Sequence, residues 1–131
     1  MKNKYLLAGL VCVIVLIANK VLSMLLNLAL PSLNAEYAAS VFRAWSDPLM
    51  MLFVLYPISV GVLSAYLWFR TRKAWKSGAD FGLTVGLLMA VPMFIINYTT
   101  FLFSPLMAVT WGLFAFVNVL VAGLALEKLE D

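Results

Sequence analysis

The sequence predicts an all-α integral membrane protein, a four-helix bundle forming one domain over residues 1–131. Two observations lead there. Of the 131 residues, 65% are hydrophobic and 11% are charged, with a mean hydropathy of +1.03; a single soluble core of this size does not bury so much apolar surface. Those apolar residues fall into four runs, each long enough, at about 1.5 Å per helical residue, to cross an apolar layer of about 30 Å. Four such helices leave no length for a soluble catalytic domain.

The first helix, about residues 5–30, reads YLLAGLVCVIVLIANKVLSMLLNLAL. It spans about 39 Å and crosses with length to spare. Lys20 interrupts it about 22 Å from Tyr5, in the far half of the layer. A lysine costs about 2.5–3.5 kcal/mol at the centre of a spanning helix, and less where it snorkels. Ser23 and Asn27 follow at i+3 and i+7 and share a helical face with Lys20, with Asn19 alongside. That face is expected to point to protein or water rather than lipid. Lys2 and Lys4 ahead of an apolar run have the form of a secretory signal, but the run is too long and no small-x-small cleavage site follows, so a retained span is expected. Cys12 is the single cysteine; it allows no intrachain disulfide and reads as a small buried apolar residue.

After Pro31, the segment at about 34–45 places Tyr37, Val41, Phe42 and Trp45 at helical spacing, with Glu36, Ser40 and Arg43 opposite. This predicts a short amphipathic helix lying in the interface. Asp47 and Pro48 supply an N-cap and a proline at the first helical position of the second helix, about 48–69. Pro57 within it cannot donate to the carbonyl of Phe53, which predicts a kink. Trp68 marks the far interface, and Arg70, Arg72, Lys73, Trp75 and Lys76 form a basic, aromatic turn that closes at Ser77 and Gly78.

The third helix, about 79–103, carries Gly82, Gly86 and Ala90 at four-residue intervals, a small-xxx-small stripe suited to close helix packing. Pro92 interrupts it and frees the carbonyl of Leu88, and the polar run Asn97, Tyr98, Thr99 and Thr100 comes near its end. Ser104 and Pro105 repeat the cap-and-proline pattern, so the turn into the fourth helix, about 105–126, is short and the two form an antiparallel hairpin. Trp111 and Asn118 are embedded in that last helix, Gly123 lies near its exit, and Glu127 to Asp131 are expected to be a solvated tail.

Basic residues set the expected orientation. Lys2 and Lys4 fall on one side, and Arg70, Arg72, Lys73 and Lys76 return to it after two crossings, whereas the first loop holds Arg43 alone. Both termini are then cytoplasmic and the amphipathic loop is outside, in a prokaryotic inner or plasma membrane. The net charge of +3 is small and lies at membrane edges, so nucleic acid is not an expected partner. The lipid bilayer is one, with anionic lipid, a second copy or another membrane protein as further candidates.

Depth along each helix gathers Asn19, Lys20, Ser23, Asn27, Tyr56, Ser59, Asn97, Tyr98 and Thr110 in the outer half, with Lys20, Ser23, Asn27, Tyr56, Ser59 and Asn97 as the candidate ligand-binding residues of a shared pocket, while Asn118 falls in the inner half. A cationic pocket without embedded carboxylates suits an anion, a lipid phosphate or a partner's acidic side chain. The expected function is therefore binding or transport of an anionic solute or lipid headgroup around Lys20. The alternative is a non-catalytic accessory subunit of a membrane complex, in which the asparagines are packing contacts worth about 0.6 kcal/mol each. The sequence contains no histidine, so Ser23 and Ser59 lack the commonest activating base, and a serine–lysine pair would need Lys20 deprotonated beside a serine oxygen. Not an enzyme, no cofactor and no metal are the expectations.

The alternation of YP at Tyr56 and Pro57, the basic turn, FGL at Phe81 to Leu83, and the closing VAGLALEKL resembles small four-helix prokaryotic membrane proteins without an assigned activity. The likeness covers most of the chain and implies the same four-span architecture. TTF at Thr99 to Phe101 is similar to a fragment of fluoride channels of comparable length, but the glycine- and arginine-rich first-helix motif of that family is missing and Lys20 does not replace it.

Overall fold

The structure, a computed structural model, describes residues 3–38, 42–102 and 104–131. The expected contributions of Lys2, Ser40, Val41 and Phe103 lie outside the described residues. No strand occurs among the described residues, and four helices are long and apolar enough to cross a membrane, which makes this a multi-pass membrane protein.

Helix α1, Lys4–Ala29, starts at Asn3, whose side chain accepts from the Tyr5 amide at 3.0 Å. It ends where Pro31 removes a donor and disfavours helical backbone at Leu30. A short helix α2, Ser32–Tyr37, follows. The amphipathic helix expected to continue to about residue 45 does not: the described residues 42–47 are turn and loop. Glu36 and Tyr37 instead bond to the last helix.

The second span is in two pieces. Asp47 caps a 3-10 segment, Pro48–Val54, by accepting from the Leu49 amide at 2.9 Å. Helix α3, Leu55–Thr71, then begins. Pro57 lies in the first turn of α3, and the Phe53 carbonyl that it cannot bond accepts from the Leu55 amide at the join with the 3-10 segment. A 3-10 turn, Arg72–Ala74, leads to helix α4, Gly78–Thr100. Ser77 caps α4 by accepting from the Asp80 amide at 3.0 Å, and Asp80 in return accepts from the Lys76 amide at 3.1 Å. Helix α5, Pro105–Glu130, runs past the expected exit near Leu126, so the last residues are helical.

Helix α5 is the axis of the fold. Ala108, Gly112, Ala115, Val119, Ala122 and Leu126 are all buried along it, at alternating spacings of four and three residues, which is the seam of knobs-into-holes packing. Helices α1, α3 and α4 each pack on α5, and α1 also packs on α3. Small residues permit this. A Cβ built on Gly82 would lie 2.7 Å from the Leu120 Cα, one on Gly86 3.0 Å from the Phe116 ring, and one on Gly78 or Gly123 would overlap the other's carbonyl oxygen. Gly82 and Gly86 thus face α5, and Ala90 lies against Gly112, where an added Cβ would sit 3.3 Å from the Ala90 carbonyl oxygen. Gly61 does the same for α1 and α3, since its Cβ would come within 2.8 Å of the Cys12 Cα. Cys12 is half-buried there and its thiol donates to the Ile58 carbonyl at 3.6 Å.

The end of α5 is tied to the basic turn. Glu130 accepts from the Trp68 indole at 3.0 Å and from Arg72 Nε at 2.9 Å, and the Arg72 guanidinium stands 4.6 Å from the centroid of the Trp68 ring. Phe81 meets Trp68 and Trp75 edge-on at 5.4 and 5.3 Å. The Arg72–Glu130 pair is partly solvated and contributes little by charge alone. The fully buried Trp68 ring, joined by its N–H to Glu130, is the stronger tie.

Candidate functional site

The polar groups of the spans sort by the helix face that carries them. Asn118 on α5 is fully buried, and its Nδ2 donates to Asn19 Oδ1 on α1 at 2.8 Å. The Tyr56 hydroxyl lies beside Asn118, and both it and Asn118 Oδ1 are buried without completing a hydrogen bond. These three residues join α1, α3 and α5. Their work is interhelical, and double-mutant cycles on such pairs average about 0.6 kcal/mol, with a maximum of about 1.7. A cycle of Asn19→Leu and Asn118→Leu, followed by unfolding in detergent, is expected to give a coupling energy in that range; strictly additive losses would show the bond to be idle.

The Asn19–Asn118 bond also fixes depth. From Asn118, α5 advances about 18 Å to Glu130 and about 20 Å back to Pro105, so the pair stands at mid-height. Counting from each helix's own end had put Asn118 and Lys20 in opposite halves. The count fails because α1 continues only about 15 Å from Asn19 to Ala29, so its end is not level with the start of α5.

Going round α1 at 3.6 residues per turn, Ser23, Asn27 and Lys20 lie about 40°, 80° and 100° from Asn19, all to the same side. Their exposure follows that order: Ser23 is half-buried, and Asn27 and Lys20 are exposed. Lys20 is thus at mid-height on the open flank of α1.

The remaining expected site residues are elsewhere. Ser59 is exposed on α3, and its hydroxyl donates back to the Tyr56 carbonyl at 2.7 Å. Asn97 is buried on α4, a helix that packs along α5, so it and Lys20 belong to different helix pairs. Of the six residues expected to share a pocket, the structure brings Tyr56 to the Asn19–Asn118 pair and puts Lys20, Ser23 and Asn27 on one flank. It joins neither Ser59 nor Asn97 to them. An apolar groove of about 250 Å³ is lined by Ala90, Val91, Phe94, Val109 and Gly112, and another of about 390 Å³ by Asn3, Leu6, Leu7, Leu10 and Leu129. Lys20 lines neither.

A second polar cluster closes the opposite end of the bundle from the basic turn. The Glu36 carboxylate accepts from the Ser104 amide and the Ser104 hydroxyl, both at 2.7 Å, while Ser104 Oγ accepts from the Met107 amide at 3.1 Å. A carboxylate at a helix N-terminus is favoured by the unpaired amides and the dipole. Beside it the Trp111 indole donates to the Tyr37 hydroxyl at 2.7 Å, and Phe42 packs against both rings. Burial pushes the Tyr37 phenol above its ordinary range; the Trp111 donor works the other way, and the nearby Glu36 charge adds to the rise. The folded state thus holds the Tyr37 proton more tightly than the unfolded chain. That stabilisation is complete below about pH 10 and lost as pH rises through the folded value. An ultraviolet titration of the phenolates is expected to include a late-ionising component, and Tyr37→Phe reduces its amplitude. Farther along the loop, the Leu49 amide and then Arg43, at 3.0 Å, hold the Asp47 carboxyl below the usual carboxylate range. Its contribution is present above about pH 4 and fades as pH falls further.

No family model matches the chain, nor does any curated protein or solved structure.

Three roles escaped sequence reasoning: the bond between Asn19 and Asn118, the seat of Glu36 on α5, and the hold of Glu130 on Trp68 and Arg72. The spacing of Ala108, Gly112, Ala115 and Ala122 is a signal in the sequence that α5 is central, and it went unread. The polar partners are far apart in sequence and share no local pattern.

Proposed function

We propose that this chain is a non-catalytic membrane protein that acts as an accessory or structural subunit of a membrane complex, binding through the Lys20 flank of α1. One observation supports it above the rest. Asn19, Tyr56 and Asn118, from α1, α3 and α5, meet in one interhelical cluster, whereas Lys20, at the same height, faces outward. A lysine there has about 15 Å of apolar layer on either side, more than twice what its four-carbon stem reaches. In this reading the basic turn and both termini are cytoplasmic, α2 rests at the outer surface, and the protein resides in a prokaryotic cell membrane.

Binding or transport of an anionic solute or lipid headgroup at Lys20 is the second reading, favoured by the lack of any carboxylate of this chain at that height. Native mass spectrometry of the wild type and Lys20→Met from detergent separates the two. A complex with a different membrane protein, weakened about tenfold or more by Lys20→Met, is the expected result. A wild-type chain that instead retains a small anion or anionic lipid only while Lys20 is present supports the second reading and removes the first.

A further inference from the structure

The open flank of α1 has a pattern of its own. Leu10, Val13, Ile17, Lys20, Met24 and Asn27 follow one another at spacings of three and four residues, and every one of them is exposed. This is the same alternation that α5 buries from Ala108 to Leu126. Alternating spacings of three and four residues make a straight seam that receives the side chains of a second helix running alongside. A polar residue within such a seam fixes which helix binds and in what register, at a cost in stability.

We infer that this seam docks a transmembrane helix of a different protein that carries an aspartate or glutamate at the level of Lys20. The inference rests on the subunit reading above and names the partner's chemistry. A second copy of this chain does not serve. Two copies in one orientation would set Lys20 against Lys20, and all six acidic residues of the sequence lie in loops or near helix ends. A lipid phosphate serves poorly. Helical side chains lean toward the helix N-terminus, so Lys20 leans toward the basic end, from which the Asn19–Asn118 level is about 18 Å distant. A carboxylate opposite Lys20 neutralises it where it stands. Both groups then leave lipid contact, which is how ionisable residues inside membranes are ordinarily accommodated. The apolar members of the seam supply contact on either side, and Asn27, two turns further along, offers a second polar contact.

The test uses the full-length protein in phosphatidylcholine vesicles with a labelled, leucine-rich single-span peptide, and reads association by energy transfer. The peptide bearing one central glutamate is expected to bind at least tenfold more tightly than its all-leucine counterpart. Lys20→Arg keeps that preference. Lys20→Met, shown by circular dichroism to retain its helices, loses it. Moving the glutamate two turns along the peptide weakens binding. Equal binding of the glutamate and leucine peptides, or a preference that survives Lys20→Met, overturns the inference. So does loss of the preference when phosphatidylglycerol is added, which would assign Lys20 to lipid phosphate. These failures remove the carboxylate partner alone. The subunit reading falls separately, if native mass spectrometry finds the wild-type chain by itself.

Discussion

Replacing Gly82 by leucine is expected to lower the melting temperature of the purified protein by about 10 °C and to open the α4–α5 hairpin. The clash is with backbone: the first added carbon already lies 2.7 Å from the Leu120 Cα, and a main chain cannot rotate aside as a side chain can. The two helices must separate. Overpacking of a filled interior costs about 1–3 kcal/mol, and the branched remainder of leucine places this case at the top of that range. For a chain of this size such a loss moves the melting point by about 10 °C. Gly9 provides the control, because a Cβ there meets nothing within 4 Å. Gly9→Ala should be neutral or stabilising by up to about 1 kcal/mol through helix propensity, while Gly82→Ala, with the same propensity gain, should still destabilise. Differential scanning fluorimetry in detergent gives both signs; equal shifts at the two positions would mean that the hairpin is not closely packed.

Glu36→Ala is expected to have the second largest effect, about 2 kcal/mol, confined to the α2 end of the bundle. The substitution removes two hydrogen bonds of 2.7 Å to a charged acceptor, each of a kind that contributes about 1.5–3 kcal/mol, and water recovers part of that loss. It also strips a negative charge from the start of α5. Amide exchange at Ser104 and Met107 should accelerate by more than tenfold, with no change near Glu130 at the other end. Glu36→Gln keeps the shape but not the charge, and an intermediate effect is expected. Unchanged exchange at Ser104 in the alanine variant would mean that α2 is held by its apolar contacts, chiefly buried Leu33, and not by the carboxylate.

The spans were legible because the signals that make them are local. Runs of apolar residues, the Asp47–Pro48 and Ser104–Pro105 caps, and the small residues of α4 act within a few positions of one another. The same local reasoning went astray where a neighbouring segment altered the frame. Pro57 predicted a kink within one α-helix; the winding instead changes from 3-10 to α at Val54 and Leu55, just ahead of the proline, which falls in the first turn of α3. Glu127 to Glu130 read as a solvated tail because nothing near them in sequence needs a carboxylate. Trp68 and Arg72 do, and they come from a different helix.

By itself, the sequence determined four apolar crossings, their approximate limits, the tight α4–α5 hairpin, the basic turn and the presence of an expensive lysine in the first span. Hydropathy, cap chemistry and residue size are properties of single residues and short windows, and they survive without knowledge of neighbours. Tertiary structure alone decided which polar groups meet. Helical period places Lys20, Ser23 and Asn27 on one side of α1, but only packing against α5 shows that Asn19 turns inward and Lys20 outward. Depth likewise depends on how far each helix slides past the next, a quantity set by the Gly82–Leu120 and Gly61–Cys12 approaches rather than by any one helix. The expected pocket was assembled from depths counted along separate helices. The packed helices instead give an interior cluster of Asn19, Tyr56 and Asn118 and an outward-facing lysine, because side chains can meet only where two backbones are close and their faces agree.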